Sequence, residues 1–110
     1  MIIAIPVLEN RLAADFRSYR QFDLIDTVNG EVKMQEFLTP PPVQPWRLPN
    51  WLQAHDVDVI IAGRMSQTAE SLFQKAGIKV ITGAPSLPPA EVAQRYCNDH
   101  LLREEDGNIH

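Results

Sequence analysis

Two short β-branched runs in the second half of the chain set what it can fold into. Val57-Asp-Val-Ile-Ile-Ala-Gly63 ends in glycine, and Ile78-Lys-Val-Ile-Thr82 is followed at once by Gly83. Each leads into a stretch with helical spacing. After the first, Ser66 offers a side-chain cap, Ala69, Leu72, Phe73 and Ala76 form an apolar stripe, and Gly77 provides a left-handed stop. After the second, Ser86 to Pro89 opens a last helix whose stripe is Val92, Ala93, Tyr96, Cys97 and Leu101. Strands buried on both faces, alternating with helices through short loops, are the pattern of parallel βαβ units.

The first half adds antiparallel strands. Met1 to Leu8 is a continuous apolar run and reads as another buried strand. Pro6 cannot donate to a ladder, so the run is expected to end, bulge or lie at an edge there. Glu9 to Tyr19 is polar and reads as a loop with one helical turn. Gln21 to Val28 and Glu31 to Phe37 flank Asn29-Gly30, a strong signal for a type I′ hairpin. In the first of these strands Phe22 and Leu24 share a face. In the second, alternation places Val32 and Met34 on one face and Lys33 and Gln35 on the other. Asp23 and Asp26 are expected on an exposed acid face. Residues 40–49 hold five of the nine prolines and read as an extended connection. A helix follows from Pro49 or Asn50, with Leu48, Trp51, Leu52 and His55 on its stripe. The expected fold is α/β, a mixed five-stranded sheet with an antiparallel hairpin and about three helices. Residues 1–102 make a single domain, and 103–110 a flexible acidic tail.

Composition narrows the functions. In 110 residues, ten basic against fourteen acidic side chains leave a formal charge of -4, which argues against a general nucleic-acid binder. The longest apolar run is far short of a membrane span. A single cysteine, Cys97, forbids an internal disulfide, and a reducing, cytoplasmic location is the expectation.

Ligands of open α/β sheets gather beyond the carboxyl ends of parallel strands. Two loops qualify: Gly63-Arg64-Met65-Ser66 and Thr82-Gly83-Ala84-Pro85-Ser86. Glycine admits close backbone approach, a helix N-terminus favours anions, and Arg64 can clamp a carboxylate or phosphate. The plainer reading makes both glycines tight turns and Arg64 a solvated side chain. Neither loop matches a nucleotide-binding fingerprint. Cys97 and His100 share a helix face and could offer two ligands, yet a closed zinc site takes four and Cys97 also lies on the apolar stripe. His55 ends a helical stripe. The carboxylates are scattered, with no two-metal nuclease arrangement and no nucleophile–histidine pair.

Several stretches carry a family likeness. They are Met1-Ile-Ile-Ala-Ile-Pro-Val7, Phe16, Phe22-Asp-Leu-Ile-Asp26 with its Asn-Gly turn, Leu48 to Gly63, Ala76-Gly-Ile-Lys-Val80 and Gly83. Through them the chain resembles the dinitrogenase iron–molybdenum cofactor biosynthesis family over roughly residues 1–102. The resemblance implies a ribonuclease H-like fold and a role in carrying or storing iron–molybdenum cofactor or its iron–sulfur precursors. Asp15-Phe16-Arg17 stands where family members commonly carry His-Phe-Gly, and Gly63-Arg64 where they carry Gly-Gly.

The function expected is therefore a non-catalytic carrier. Its binding residues are Asp15, Arg17, Gly63, Arg64, Ser66, Gly83 and Ser86, with Arg17 and Arg64 neutralising the cargo and Asp15 or Cys97 as candidate ligands. The cargo is iron–molybdenum cofactor or an iron–sulfur cluster precursor, and the carrier is expected to need no nucleic acid or membrane. Its partners are other cofactor-assembly or nitrogenase-type proteins, and it is a monomer or weak homodimer. Two alternatives stand beside this one: a protein–protein adaptor without a cluster, and a small anion- or nucleotide-binding domain.

Overall fold

The computed structural model describes residues 1–42 and 44–98. Their elements are β1 (Ile2–Leu8), β2 (Arg11–Leu12), β3 (Gln21–Val28), β4 (Glu31–Leu38), α1 (Leu48–Ala54), β5 (Val59–Ile61), α2 (Gln67–Lys75), β6 (Lys79–Ile81) and α3 (Pro89–Cys97). One-turn 3-10 helices lie at Phe16–Ser18 and Pro45–Arg47. The expected acidic tail, Leu101 and His100 fall outside the described residues. No described helix is long and apolar enough to cross a membrane.

The sheet runs β4-β3-β1-β5-β6, parallel across β1, β5 and β6 and antiparallel from β1 outward to β4. To the five expected strands the structure adds the two-residue β2, which folds back on the end of β1 through Glu9 (φ 55°) and Asn10 (φ 66°). Residues in β1 alternate between two cores. Ile3, Ile5 and Val7 pack with Leu12, Ile61, Val92 and Ala93 beneath α3. Ala4 packs on the other side with Leu48 and Leu52 of α1 and Phe73 of α2. Helices on both faces are why β1 reads as an unbroken apolar run.

Pro6 neither ends β1 nor lies at an edge; it pairs with Phe22 in the middle of the sheet. Its backbone points to the β5 flank, the side from which Asp58 N–H donates to Ile2 O and Ala13 N–H to Pro6 O. The β5 ladder reaches only Ala4. The missing N–H thus falls where β5 has ended and the β2 turn takes over, so no ladder bond is lost.

In the hairpin, Asn29 (φ 54°) and Gly30 (φ 80°) make the expected turn. The register then shifts: Asp26 faces Met34 but Thr27 faces Val32, leaving Lys33 as an extra residue. This bulge reverses the alternation. Val32 packs beneath α3 while Met34 is 67% exposed, so the two do not share a face as the pattern suggests. Asp23 departs further from expectation. It is fully buried, because the face that alternation marks as polar is also covered. Burial pushes its carboxyl up to about 6, against a lowering hydrogen bond from Gln35.

Candidate functional site

The chain leaves β1 at Leu8, turns through β2, and then runs alongside the exit of β5. Arg64 N–H donates to Ala14 O over 2.7 Å, and Phe16 N–H donates to Arg64 O over 2.8 Å. Phe16 fastens this segment from below. Its ring meets Phe73 edge-on at 5.7 Å and Tyr19 at 5.5 Å. With Phe16 buried, its neighbours Asp15 and Arg17 are held at the surface beside Arg64.

Gly63 is required here, though not to admit a ligand. A Cβ on it would collide with the carbonyl oxygen of Ala14 and lie 2.9 Å from that of Ala13. The backbone that approaches is the protein's own. On the opposite side Gly83 N–H donates to Gly63 O over 2.9 Å. The two glycine corners therefore adjoin, as neighbouring parallel strands require. Between them opens a shallow cavity of about 440 Å³, lined by Ala14, residues 63–65, residues 82–84 and Ser86.

Of the residues expected at a site, Gly63, Arg64, Gly83 and Ser86 line this cavity. Ser86 is already engaged, donating its hydroxyl to Leu12 O over 2.6 Å. That bond ties the loop to β2, and α3 takes its start at Pro88 and Pro89 instead. Ser66 is outside the lining; its Oγ accepts from Ala69 N–H and caps α2. Asp15 and Arg17 are not among the lining residues; Asp15 stands beside Arg64, and Arg17 pairs with Asp15. Arg17 Nη2 is 3.3 Å and Arg64 Nε 3.8 Å from Asp15 Oδ2. The Arg17 side chain and its backbone N–H, with Arg64 behind them, hold the Asp15 carboxyl below the usual carboxylate range. Two guanidiniums against one carboxylate leave this cluster a net positive charge beside the cavity. Among the described residues, no hydrogen bond uses the N–H groups of Met65 and Ser66, which stand free before the first turn of α2.

Cys97 is not brought to this place. It closes α3, eight residues or about 12 Å beyond Pro89. Its companion His100 lies outside the described residues. The His55 ring sits against Trp51, with Nδ1 3.1 Å from Trp51 O. No group of three metal-binding side chains occurs among the described residues. The cavity wall offers hydroxyls, a guanidinium, backbone amides and the Met65 thioether, but neither thiolate nor imidazole. Such donors suit an anion held by charge and hydrogen bonds rather than a bare soft metal. Ala14 gives no functional signal in the sequence; it joins the wall only because residues 13–14 run beside Gly63.

A protein-family model described as dinitrogenase iron-molybdenum cofactor matches residues 1–99. The solved structure of PH0822 superposes with a TM-score of 0.82 at 24% identity, covering 92% of this chain and 94% of that one. The apo form of the orange protein from Desulfovibrio gigas superposes at 0.74 with 19% identity, covering 91% and 89%. These two likenesses concern the fold. A curated relative, a probable ATP-dependent RNA helicase ddx3 of Dictyostelium discoideum, is 32% identical over 79 residues. That match takes in 72% of this chain but only 11% of the helicase, so helicase activity does not carry over.

Proposed function

Because the chain belongs to the dinitrogenase iron-molybdenum cofactor family, we propose that it is a small non-catalytic carrier for an anionic metal–sulfur cargo. The cargo class is iron–molybdenum cofactor or an iron–sulfur precursor, received from and passed to other cofactor-assembly proteins. The ribonuclease H-like assignment of the sheet rests on the same kinship and belongs to the same proposal.

The observation that carries the reading is the junction of the two glycine corners, bonded Gly83 N–H to Gly63 O, with Arg64 on the rim of one open cavity. Arg64 and Arg17 offset the negative charge of the cargo. The free N–H group of Met65 donates to its outer sulfides or carboxylate. No protein thiolate reaches the cavity, so the cluster is held whole and by its surface. An exchangeable carrier calls for that mode of holding, since no metal–ligand bond must break on delivery.

Anaerobic titration with a synthetic iron–sulfur cluster donor tests this. Broad visible absorption that stays with the protein through gel filtration is the expected result. A colourless protein after filtration, at every donor ratio, ends the carrier reading. Arg64 and the Thr82 hydroxyl on the wall favour one second reading, a site for a small oxyanion. A thermal shift of several degrees with phosphate, and none with the cluster donor, would select it.

A further inference from the structure

Asp15 stands beside Arg64, the charged residue of the cavity wall. Its Oδ2 faces Arg17 Nη2 at 3.3 Å and Arg64 Nε at 3.8 Å. Its Oδ1 accepts from Arg17 N–H at 3.0 Å and from Arg17 Nε at 3.4 Å. Both guanidiniums are otherwise open to solvent, with side chains 86% and 79% exposed, while that of Asp15 is 26% exposed. The main chain around Asp15 is fixed by the Ala14–Arg64 and Phe16–Arg64 hydrogen bonds and by the buried Phe16 ring. Rotation about the Asp15 side-chain bonds can therefore free Arg64 without moving the backbone.

We infer that Asp15 is a built-in competitor for the cargo: its carboxylate lies 3.8 Å from Arg64 Nε, an anionic cargo must displace it to pair with that guanidinium, and its presence lowers the affinity of the site. The inference rests on the carrier reading above. An exposed ion pair is individually weak, so exchange is fast and cheap. Being tethered, the carboxylate competes at an effective concentration on the order of millimolar. Dilute carboxylates from solution therefore do not occupy the site, whereas a multiply charged cargo outcompetes it. Residue 15 thus sets the affinity of the site although it need not bind the cargo.

Asp15→Asn tests this in the full chain. The amide oxygen still accepts from Arg17 N–H, so the turn keeps its cap while the charge is lost. Asp15→Ser, also a cap, serves as a second variant with the same expectation. Calorimetric titration with molybdate, and separately with phosphate, is the readout. Both variants should bind about fivefold more tightly than the parent at low salt, the scale of one exposed pair. The gap should close at about 0.5 M salt, where such pairs are screened. Equal or weaker binding by the variants, while the parent binds and Arg64→Ala binds more weakly than the parent, overturns the competitor role and leaves the carrier reading standing. If parent and variants all leave molybdate, phosphate and the cluster donor unbound, the carrier reading falls and this inference falls with it.

Discussion

Ala14 lays its carbonyl oxygen against the bare Cα of Gly63, and Arg64 N–H reaches that same oxygen at 2.7 Å. The contact is backbone on backbone, so a side chain at 63 has nothing flexible to push aside. Gly63→Ala should cost about 1–3 kcal/mol, the usual penalty for overpacking. It should also shift the 13–14 segment off the rim and weaken cargo uptake. A melting temperature equal to that of the parent would show that the segment yields freely.

Arg64→Ala removes the rim charge at a side chain 79% exposed. Uptake of the cluster donor should weaken by roughly tenfold, the scale of one charge-assisted contact. Stability should change by no more than about 0.5 kcal/mol, as for other surface changes. Unchanged affinity in the same titration would remove Arg64 from the cargo's surroundings.

Ser66→Ala separates a cap from a ligand contact. The Ser66 hydroxyl accepts from Ala69 N–H at 3.1 Å and lies outside the cavity wall. Its loss should lower stability by about 1 kcal/mol in denaturant unfolding and leave cargo affinity as it was. A variant with parental stability but reduced uptake would reverse that assignment.

Asp23 gives the stability a pH dependence of unusual sign for a carboxylate. Its folded value is about 6, above the ordinary 3.8. Between these values the native state binds more protons than the unfolded chain, so this contribution falls as pH rises through the window. Denaturation midpoints taken from pH 4 to pH 7 should record it as a difference between the parent and Asp23→Asn. Asn removes the charge while Gln35, 2.6 Å away, remains a partner. Parallel midpoint curves for the two proteins would mean that Asp23 titrates as an ordinary surface acid.

What could be read from the sequence was local. Asn29-Gly30, the Ser66 cap and the Gly77 stop each need only a few neighbouring residues to declare themselves, and each stands where its spacing puts it. The adjoining of the Gly63 and Gly83 corners followed from two parallel strands being neighbours. Pairings across long sequence distance were hidden. Nothing near Asp15 announces Arg64, which is 49 positions away. The burial of Asp23 could not be read from alternation, because alternation presumes one wet face and this sheet has none at that point. Lys33 looks like an ordinary outward residue of its strand; only the partner strand reveals that it is surplus. The β2 return was missed because Glu9-Asn10 makes its left-handed turn without a glycine.

That surplus lysine has a bearing on the life of the molecule in a crowded solution. β4 is the outermost strand on its side, eight residues long, with Met34 and Phe37 open to water. A straight strand of that kind is a template along which a stranger's backbone can zip. The kink at Lys33 breaks the rhythm of outward-facing amides partway along, and a cationic side chain stands at the break. One inserted residue thus guards the open flank against fibrous stacking.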